Sequence, residues 1–315
     1  MSVRGLVMSY GPVRAVDGVS FEVEAGEVFA LLGPNGAGKT TTIEILEGFR
    51  NRDAGEVQVL GIDPGDRRSG QRLRSQLGVV LQELAVEPFL SVRQVLARNA
   101  GYYPAPRPVG EVIELVGLAE KADAKVKTLS GGQQRRLDVG LGIVGNPALL
   151  FLDEPTTGLD PAGRRTSWEL VRRLAREGTT VMLTTHYMEE AEALADQVAI
   201  IASGKIVAHG PPASLGGRDH GAATIRFQLP AGVTPADLPG DLPVTVAGDG
   251  RSVELRTDRE LEALYELTRW ALEHEVRVTG LTVSRHTLED VYLQLTGADP
   301  ERFQTDSAPG AAVRD

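Results

Sequence analysis

The sequence predicts an α/β fold with a mixed sheet core and a helical subdomain, followed by a small C-terminal α+β domain. Apolar stretches of strand length alternate with helical patterns between residues 148 and 204, and this alternation is typical of parallel strands joined by helical crossovers. A polar segment rich in Gly and Pro follows at about residues 210–221. We therefore expect a large domain over residues 1–215 and a small one over residues 219–297.

Apolar periodicity defines the elements of the large domain. Strands are indicated where apolar residues alternate or form short continuous runs, and helices where they recur at i, i+3 and i+4. Ser91 is a suitable N-cap for one helix of a helical subdomain expected at about residues 87–145. The predicted elements are strands within 6–32, a helix at 41–49, strands at 55–61 and 77–83, helices at 91–100 and 109–122, a strand at 148–153, a helix at 162–177, a strand at 179–186, a helix at 188–195 and a strand at 197–204.

The small domain shows the same two kinds of pattern in a different order. Strands come first and are followed by a long amphipathic helix, which is typical of an α+β unit. The predicted elements are strands at 223–229, 244–249 and 252–257, a helix at 258–275, a strand at 276–283 and a helix at 287–295 that Thr287 opens.

Composition limits the classes of protein to consider. The 315 residues, of which 42% are hydrophobic, suffice for two cores, and a net charge of -10 disfavours a surface that follows nucleic-acid phosphates. The absence of Cys excludes disulfides and cysteine-based sites. No segment approaches the roughly 18 apolar residues that cross a bilayer, so we expect a cytoplasmic protein that forms no pore itself. Residues 298–315 contain few large apolar residues and are expected to form a flexible tail.

A phosphate-binding loop is predicted directly after the apolar run Val28–Leu32. Gly33, Gly38, Lys39 and Thr40 complete the pattern G-x-x-x-x-G-K-[ST] between a strand and a helix, which is the context this loop requires. Its glycines let backbone amides surround a polyphosphate, while Lys39 reaches the β and γ phosphates and Thr40 binds Mg²⁺. The alternative is an ordinary Gly-rich turn. The loop by itself indicates a nucleoside triphosphate.

A second anion-binding segment and three polar strand ends accompany this loop. Leu129-Ser130-Gly131-Gly132-Gln133 precedes a helical pattern, and its alternative is a glycine turn that caps a helix. Asp153 and Glu154 end an apolar strand, where Asp153 would hold Mg²⁺ and Glu154 would polarise the water that attacks the γ phosphate. Two acids that serve only solubility are the alternative there. His186 ends the next predicted strand, and an isolated His is more often structural.

With these motifs in this order, the chain resembles the ATP-binding subunits of ABC transporters over roughly residues 1–215. The resemblance is carried by the phosphate loop, Gln82, the signature LSGGQ, the segment LLFLDEP, the turn TTGLD and His186. It implies a P-loop NTPase fold and a homodimer that holds two ATP molecules between the phosphate loop of one chain and the signature of the other. Tyr10 matches the aromatic residue that stacks on adenine, with a core or edge tyrosine as the alternative.

The resemblance also implies a role for each matching residue. Asp160 would communicate across the dimer interface, and Gln82 would sense Mg²⁺ and relay its state to a membrane subunit. The implied sets are, for ATP binding, Tyr10, Gly33, Pro34, Asn35, Gly36, Ala37, Gly38, Lys39, Thr40 and Thr41; for the signature acting on the partner's ATP, Ser130, Gly131, Gly132 and Gln133; for Mg²⁺, Thr40, Gln82 and Asp153; and for catalysis, Glu154, His186 and Gln82.

A narrower resemblance concerns residues 183–212 and the ending HTLEDVYLQLTG, which are similar to ATPases of the daunorubicin-resistance type of bacterial exporter. It implies a motor subunit at the cytoplasmic face of the membrane that drives export of a drug, lipid or polysaccharide through a separate permease. The alternative function is a soluble ABC-type ATPase that acts on nucleic acid or the ribosome. No nucleic-acid partner is expected.

Two arginines after the signature leave a structural question. Arg135 and Arg136 could be solvated or packed at the subunit interface, and we favour solvation because arginine is rarely buried.

Overall fold

The computed structural model describes residues 1–66, 68–80, 86–215, 223–230, 232–240, 242, 244–247, 251–284, 288 and 291–293. The chain divides into two compact units, Met1–Pro212 and the unit that starts at Ala213. The elements of the first unit are β1 Ser2–Tyr10, β2 Val13–Glu22, β3 Val28–Leu32, α1 Lys39–Leu46, β4 Ala54–Gln58, α2 Gly70–Arg74, β5 Leu77–Val80, α3 Val92–Ala100, α4 Val109–Leu115, α5 Gly131–Val144, β6 Leu149–Asp153, α6 Pro161–Arg176, β7 Thr180–Thr185, α7 Met188–Leu194, β8 Gln197–Ala202 and β9 Lys205–Gly210.

The main sheet of the first unit is mixed, as the sequence predicts. Within the described ranges its strand order is β5-β6-β7-β3-β8-β9, with all neighbours parallel except the antiparallel pair β8 and β9. The residues of β3 and most of β6 are fully buried, which agrees with the continuous apolar runs of their sequences. Because β3, β6 and β7 belong to one parallel part of the sheet, the polar residues that follow them reach the same edge.

A second sheet in this unit consists of β1, β2 and β4 in antiparallel order β2-β1-β4. Its apolar face joins the core of the main sheet, where the rings of Phe21 and Phe29 stack with centroids 4.9 Å apart. The strand predicted at 55–61 ends at Gln58, because Leu60 adopts a positive φ of 51° in a tight turn that a bridge between Val59 and Ile62 closes.

The helices of the first unit confirm most of the predicted segments. Helices α3, α4 and α5 pack against one another, and Ser91 caps α3 through a capping box with Gln94. The helix predicted at 41–49 is displaced by about two residues toward the N-terminus. Helix α2 has only five residues, too short for a periodic pattern to reveal, and the prediction omits it.

The second unit contains β10 Ala223–Gln228, β11 Val244–Val246, β12 Ser252–Thr257, α8 Glu260–Glu273 and β13 Thr279–Ser284. Its described strands form an antiparallel sheet in the order β11-β12-β10-β13. Helix α8 contributes Leu267 and Trp270 to a core that also contains Phe227 and Leu255. Most of the helix predicted at 287–295 lies outside the described residues; Leu288 and residues 291–293 are helical.

Candidate functional site

The segment between β3 and α1 has the backbone that a phosphate-binding loop needs. Gly36 and Gly38 have φ angles of 79° and 106°, which side chains other than glycine rarely adopt. A Cβ atom on Gly33 would collide with the carbonyl oxygen of Ile201, and one on Gly38 with that of Ala15. The two glycines of the motif are therefore required by close backbone approach as well as by the turn.

Lys39 lies folded onto this loop. Its ammonium group donates to the carbonyl oxygens of Gly33 and Pro34 at 2.7 and 3.1 Å, and only 5% of the residue is exposed. Burial lowers the pKa of Lys39, and the negative charges of Glu154 and Asp153 oppose that shift. The lysine is thus held beside the loop amides and within the field of both carboxylates.

Tyr10 lies at the end of β1, near the start of α1. Its hydroxyl is 3.3 Å from Thr41 Oγ1, and 42% of the residue is exposed. The guanidinium of Arg50 covers its ring at 5.1 Å from the centroid. Tyr10 is therefore no core residue, and its ring stands beside the phosphate-binding loop.

Asp153 and Glu154 emerge at the end of β6, next to the end of β7. The Thr184 hydroxyl donates to Asp153 Oδ1, and the Glu154 amide donates to the Thr184 carbonyl oxygen at 3.0 Å. Glu154 has a positive φ of 46°, an unfavourable conformation for a non-glycine residue that this backbone bond helps to hold. The turn separates the two adjacent carboxylates into different environments.

The Glu154 carboxylate has a partner on each oxygen, and the residue is only 7% exposed. His186 Nδ1 lies 3.0 Å from Oε1, and the Thr157 hydroxyl donates to Oε2 at 3.3 Å. The hydrogen bond with His186 lowers the pKa of Glu154 despite burial. The structure therefore brings Glu154, the predicted base, together with His186 in one chain, and the lowered pKa favours the ionised form of Glu154.

The expectation that Arg135 is solvated is wrong. Its side chain is 10% exposed, pairs with Asp138 at 2.8 Å and donates to the carbonyl oxygens of Asp153, Glu154 and Pro155 at 2.8, 3.1 and 3.1 Å. Five donors in a planar fork suit such a set of carbonyls. Burial raises the pKa of Asp138 to about 6, against the effect of Arg135. Arg135 thereby ties the helix of the signature to the backbone of the segment that carries Asp153 and Glu154.

The signature forms the start of α5. Ser130 caps this helix through a capping box with Gln133, and its side chain is exposed. Asp160 caps α6 by accepting from the Gly163 amide at 2.6 Å. The two helix starts line one open cavity of about 460 Å³, whose lining in the described part of the chain is Ser130, Gly132, Gln133, Arg136, Gly158, Leu159, Asp160, Ala162, Gly163 and Thr166. No residue of the phosphate-binding loop is among them.

The residues present fit Mg²⁺. Asp153 offers a carboxylate and Thr40 an exposed hydroxyl, and Mg²⁺ prefers hard oxygen donors with few protein ligands beside the phosphates of a nucleotide. Among the described residues no cluster of three or more His, Asp or Glu could hold a metal by itself. Gln82, the third expected ligand, lies outside the described residues.

Two buried carboxyl groups near the site escape the sequence patterns. Glu47 follows α1 and is 3% exposed, and Glu190 on α7 has no exposed surface. Glu47 lies one helical turn after the buried Ile43, and Glu190 one turn before the buried Leu194. This spacing places both carboxyl groups on the buried face of their helices, and it is the sequence pattern that could have predicted their burial.

Glu47 makes the stability of the first unit depend on pH. Burial, together with the charges of Asp153 and Glu44, raises the pKa of Glu47 to about 8. An unfolded chain releases this proton near pH 4.5. The contribution of Glu47 to the free energy of unfolding therefore falls as the pH rises from about 4.5 to 8, at a limiting slope of about 1.4 kcal/mol per pH unit. Glu47→Gln should remove this loss and be more stable than the wild type at pH 8.

Chemical denaturation at pH 5 and pH 8 measures this difference. The exposed variant Glu169→Gln is the control and should follow the wild type at both values. An equal stability difference between Glu47→Gln and the wild type at the two pH values would contradict a protonated Glu47.

Comparison with known proteins gives consistent matches along the chain. The family model "ABC transporter" matches residues 16–157, and the model "ABC transporter domain-containing protein-like, C-terminal domain" matches residues 223–287. A daunorubicin/doxorubicin resistance ATP-binding protein of Streptomyces peucetius is 38% identical over 96% of this chain and 94% of its own. A Nod factor export ATP-binding protein I of Ralstonia nicotianae is 38% identical over 95% of this chain and 94% of its own.

Solved structures agree in fold. A protein of Clostridium perfringens that is part of an ABC transporter complex covers 68% of this chain and 88% of its own, with a TM-score of 0.63 and 29% identity. A dimeric bacterial ABC transporter cassette covers 67% and 97%, with a TM-score of 0.60 and 24% identity.

Proposed function

The chain belongs to the ABC transporter family as an ATP-binding subunit that hydrolyses ATP, and we propose that two copies of it form the motor of an exporter. The observation that carries this proposal is the separation of two anion-binding elements. The phosphate-binding loop adjoins Asp153 and Glu154, whereas Ser130 lines a different cavity together with Asp160. Each chain therefore offers two incomplete sites, and a second copy would complete both.

In this proposal the loop amides and Lys39 hold the β and γ phosphates, with Tyr10 beside the adenine. Mg²⁺ would be held by Thr40, Asp153 and Gln82, and it would neutralise charge on the phosphates. Ser130 and the amides of Gly131 and Gly132, at the start of α5, would meet the γ phosphate held by the partner.

Hydrolysis in this proposal relies on Glu154 as the general base. Its ionised carboxylate accepts a proton from the attacking water, while Thr157 and His186 fix its orientation. His186 would exchange its bond with Glu154 for the γ phosphate when the dimer closes. ATP bridges the two chains, and hydrolysis removes the bridging charge, so the halves part and the cycle can drive a membrane subunit.

ATP-dependent dimerisation tests this proposal. We expect the purified hydrolysis-deficient Glu154→Gln chain to change from monomer to dimer mass on addition of Mg-ATP, measured by light scattering. A second substitution, Ser130→Asp, should abolish the dimer, because aspartate keeps the helix cap but places a negative charge against the γ phosphate. Nucleotide binding to the monomer should persist.

Ser91→Asp is the matched control, since Ser91 caps α3 with the same capping box. In the Glu154→Gln background this variant should dimerise normally. A dimer that survives Ser130→Asp, or no change of mass with Mg-ATP, would contradict an ATP bridge at the signature.

The exporter's cargo is proposed from the relatives, whose names include daunorubicin/doxorubicin resistance, Nod factor export and linearmycin resistance. We propose a drug, a lipid or a polysaccharide as the cargo. None of the described helices is both long and apolar enough to cross a bilayer. From the ABC transporter family of this chain and its relatives we propose a separate permease, with this chain bound at the cytoplasmic face of the membrane.

A further inference from the structure

Glu190 is a fully buried carboxyl group whose charge state and partners need an explanation. It lies on α7, four residues after His186, and has no exposed surface. Its Oε1 accepts from Trp168 Nε1 at 3.3 Å, whereas Oε2 has no hydrogen-bond partner among the described residues. Burial raises the pKa of Glu190, which favours the protonated form. Burying an apolar side chain here would cost less free energy than burying a carboxyl group, so packing alone does not account for Glu190.

Three segments of the active site meet at this carboxyl. Thr156 belongs to the turn between Glu154 and Asp160, and its Oγ1 is likewise buried without a partner in the described structure. Burial has the largest effect on the pKa of Glu190, and the neighbouring hydroxyls of Thr185 and Thr156 partly oppose it. Trp168 lies two turns into α6, the helix that Asp160 caps.

Thr185, whose hydroxyl influences the pKa of Glu190, directly precedes His186. Thr185 Oγ1 accepts from the Tyr187 amide at 2.9 Å, so the two residues that flank His186 are tied together. That hydroxyl has its own proton left to donate to Glu190. The side chains of Glu190 and Thr185 therefore connect Trp168 with the backbone directly after His186.

We propose that Glu190 is a positioning residue for ATP hydrolysis, which holds the turn 155–160 and the His186 segment in one arrangement through Thr156, Thr185 and Trp168. The proposal rests on the proposed roles of Glu154 and His186. A protonated carboxyl suits this task, because it can donate to one hydroxyl and accept from the indole at the same time. Glu190 itself touches no reacting atom.

Single-turnover hydrolysis and nucleotide affinity of the purified full chain test the proposal. Glu190→Ala should lower the hydrolysis rate by roughly 10- to 100-fold, the usual effect of a misplaced catalytic group, while the dissociation constant for ATP changes less than about twofold. Glu190→Gln should keep nearly the wild-type rate, since an amide donates and accepts as the protonated carboxyl does.

Thr156→Val and Trp168→Phe change the neighbours of Glu190 and leave Glu190 itself in place. They keep the proposal testable if Glu190→Ala does not fold. Each should slow hydrolysis at unchanged ATP affinity, and each should have no further effect in a Glu190→Ala background. Glu189→Ala, at an exposed position next to Glu190, is the matched control and should behave as wild type.

Rates that stay at the wild-type value in every folded variant would overturn the proposal, as would a Glu190→Gln rate as low as that of Glu190→Ala. A parallel Glu154→Gln measurement separates this failure from a failure of the proposed function. If Glu154→Gln is slow while the Glu190, Thr156 and Trp168 variants are not, only the positioning role is lost.

Discussion

Glu154→Gln should bind ATP as the wild type does and hydrolyse it about 10² to 10⁴ times more slowly, the usual share of a positioned general base. The amide can keep the contacts with Thr157 and His186, so the site retains its shape while it loses the group that accepts a proton. Steady-state phosphate release and ATP titration of the same preparation measure the two quantities.

Glu169→Gln is a suitable control for this change, because Glu169 is exposed on α6. It should leave both turnover and affinity unaltered. Wild-type turnover in Glu154→Gln would remove this residue from the mechanism. A loss of ATP affinity in Glu154→Gln as large as the expected loss of turnover would instead assign Glu154 to nucleotide binding.

Lys39→Ala should weaken ATP binding by at least about 100-fold, because the variant would lose the charge-assisted hydrogen bond that we propose between Lys39 and the phosphates. This effect differs from that of Glu154→Gln, because Lys39→Ala weakens nucleotide binding, whereas Glu154→Gln slows the chemical step. The carbonyl oxygen of Gly33 also loses the buried ammonium donor of Lys39, which adds a cost to folding of the loop. Calorimetric titration with Mg-ATP measures the affinity.

Lys39→Met separates the two effects, because methionine fills the space of the lysine stem but has no charge. Its affinity should fall as far as that of Lys39→Ala, with a smaller loss of stability. Lys121→Ala, at an exposed position, should bind normally. An undiminished affinity in both Lys39 variants would contradict the assignment of the loop.

The sequence was a good guide wherever a local pattern carries the chemistry. The loop at residues 33–41 can be recognised because its glycines are demanded by local backbone geometry, and Asp153 and Glu154 because apolar strands end in parallel at one edge of a sheet. The helix cap at Ser91 follows from a local hydrogen-bonding rule and is also confirmed.

Predictions failed where distant segments decide the outcome. Arg135 was expected at the surface, yet its guanidinium reaches carbonyl oxygens 18 to 20 residues further along the chain. The separate antiparallel sheet was not expected, because β4 pairs with β1 across the whole phosphate-binding segment. Helix α2 is too short to display a period.

The sequence by itself determined the family and the order of the motifs, and it predicts the chemistry of the nucleotide site, because each of these depends on residue types at short, fixed spacing. Only the tertiary structure decided that His186 and Thr157 hold Glu154, that Arg135 binds the carbonyl oxygens of residues 153–155 and that Trp168 donates to the buried Glu190. These facts arise from contacts between residues far apart in the chain, whose geometry is set by strand order and helix packing and leaves no periodic trace in the sequence.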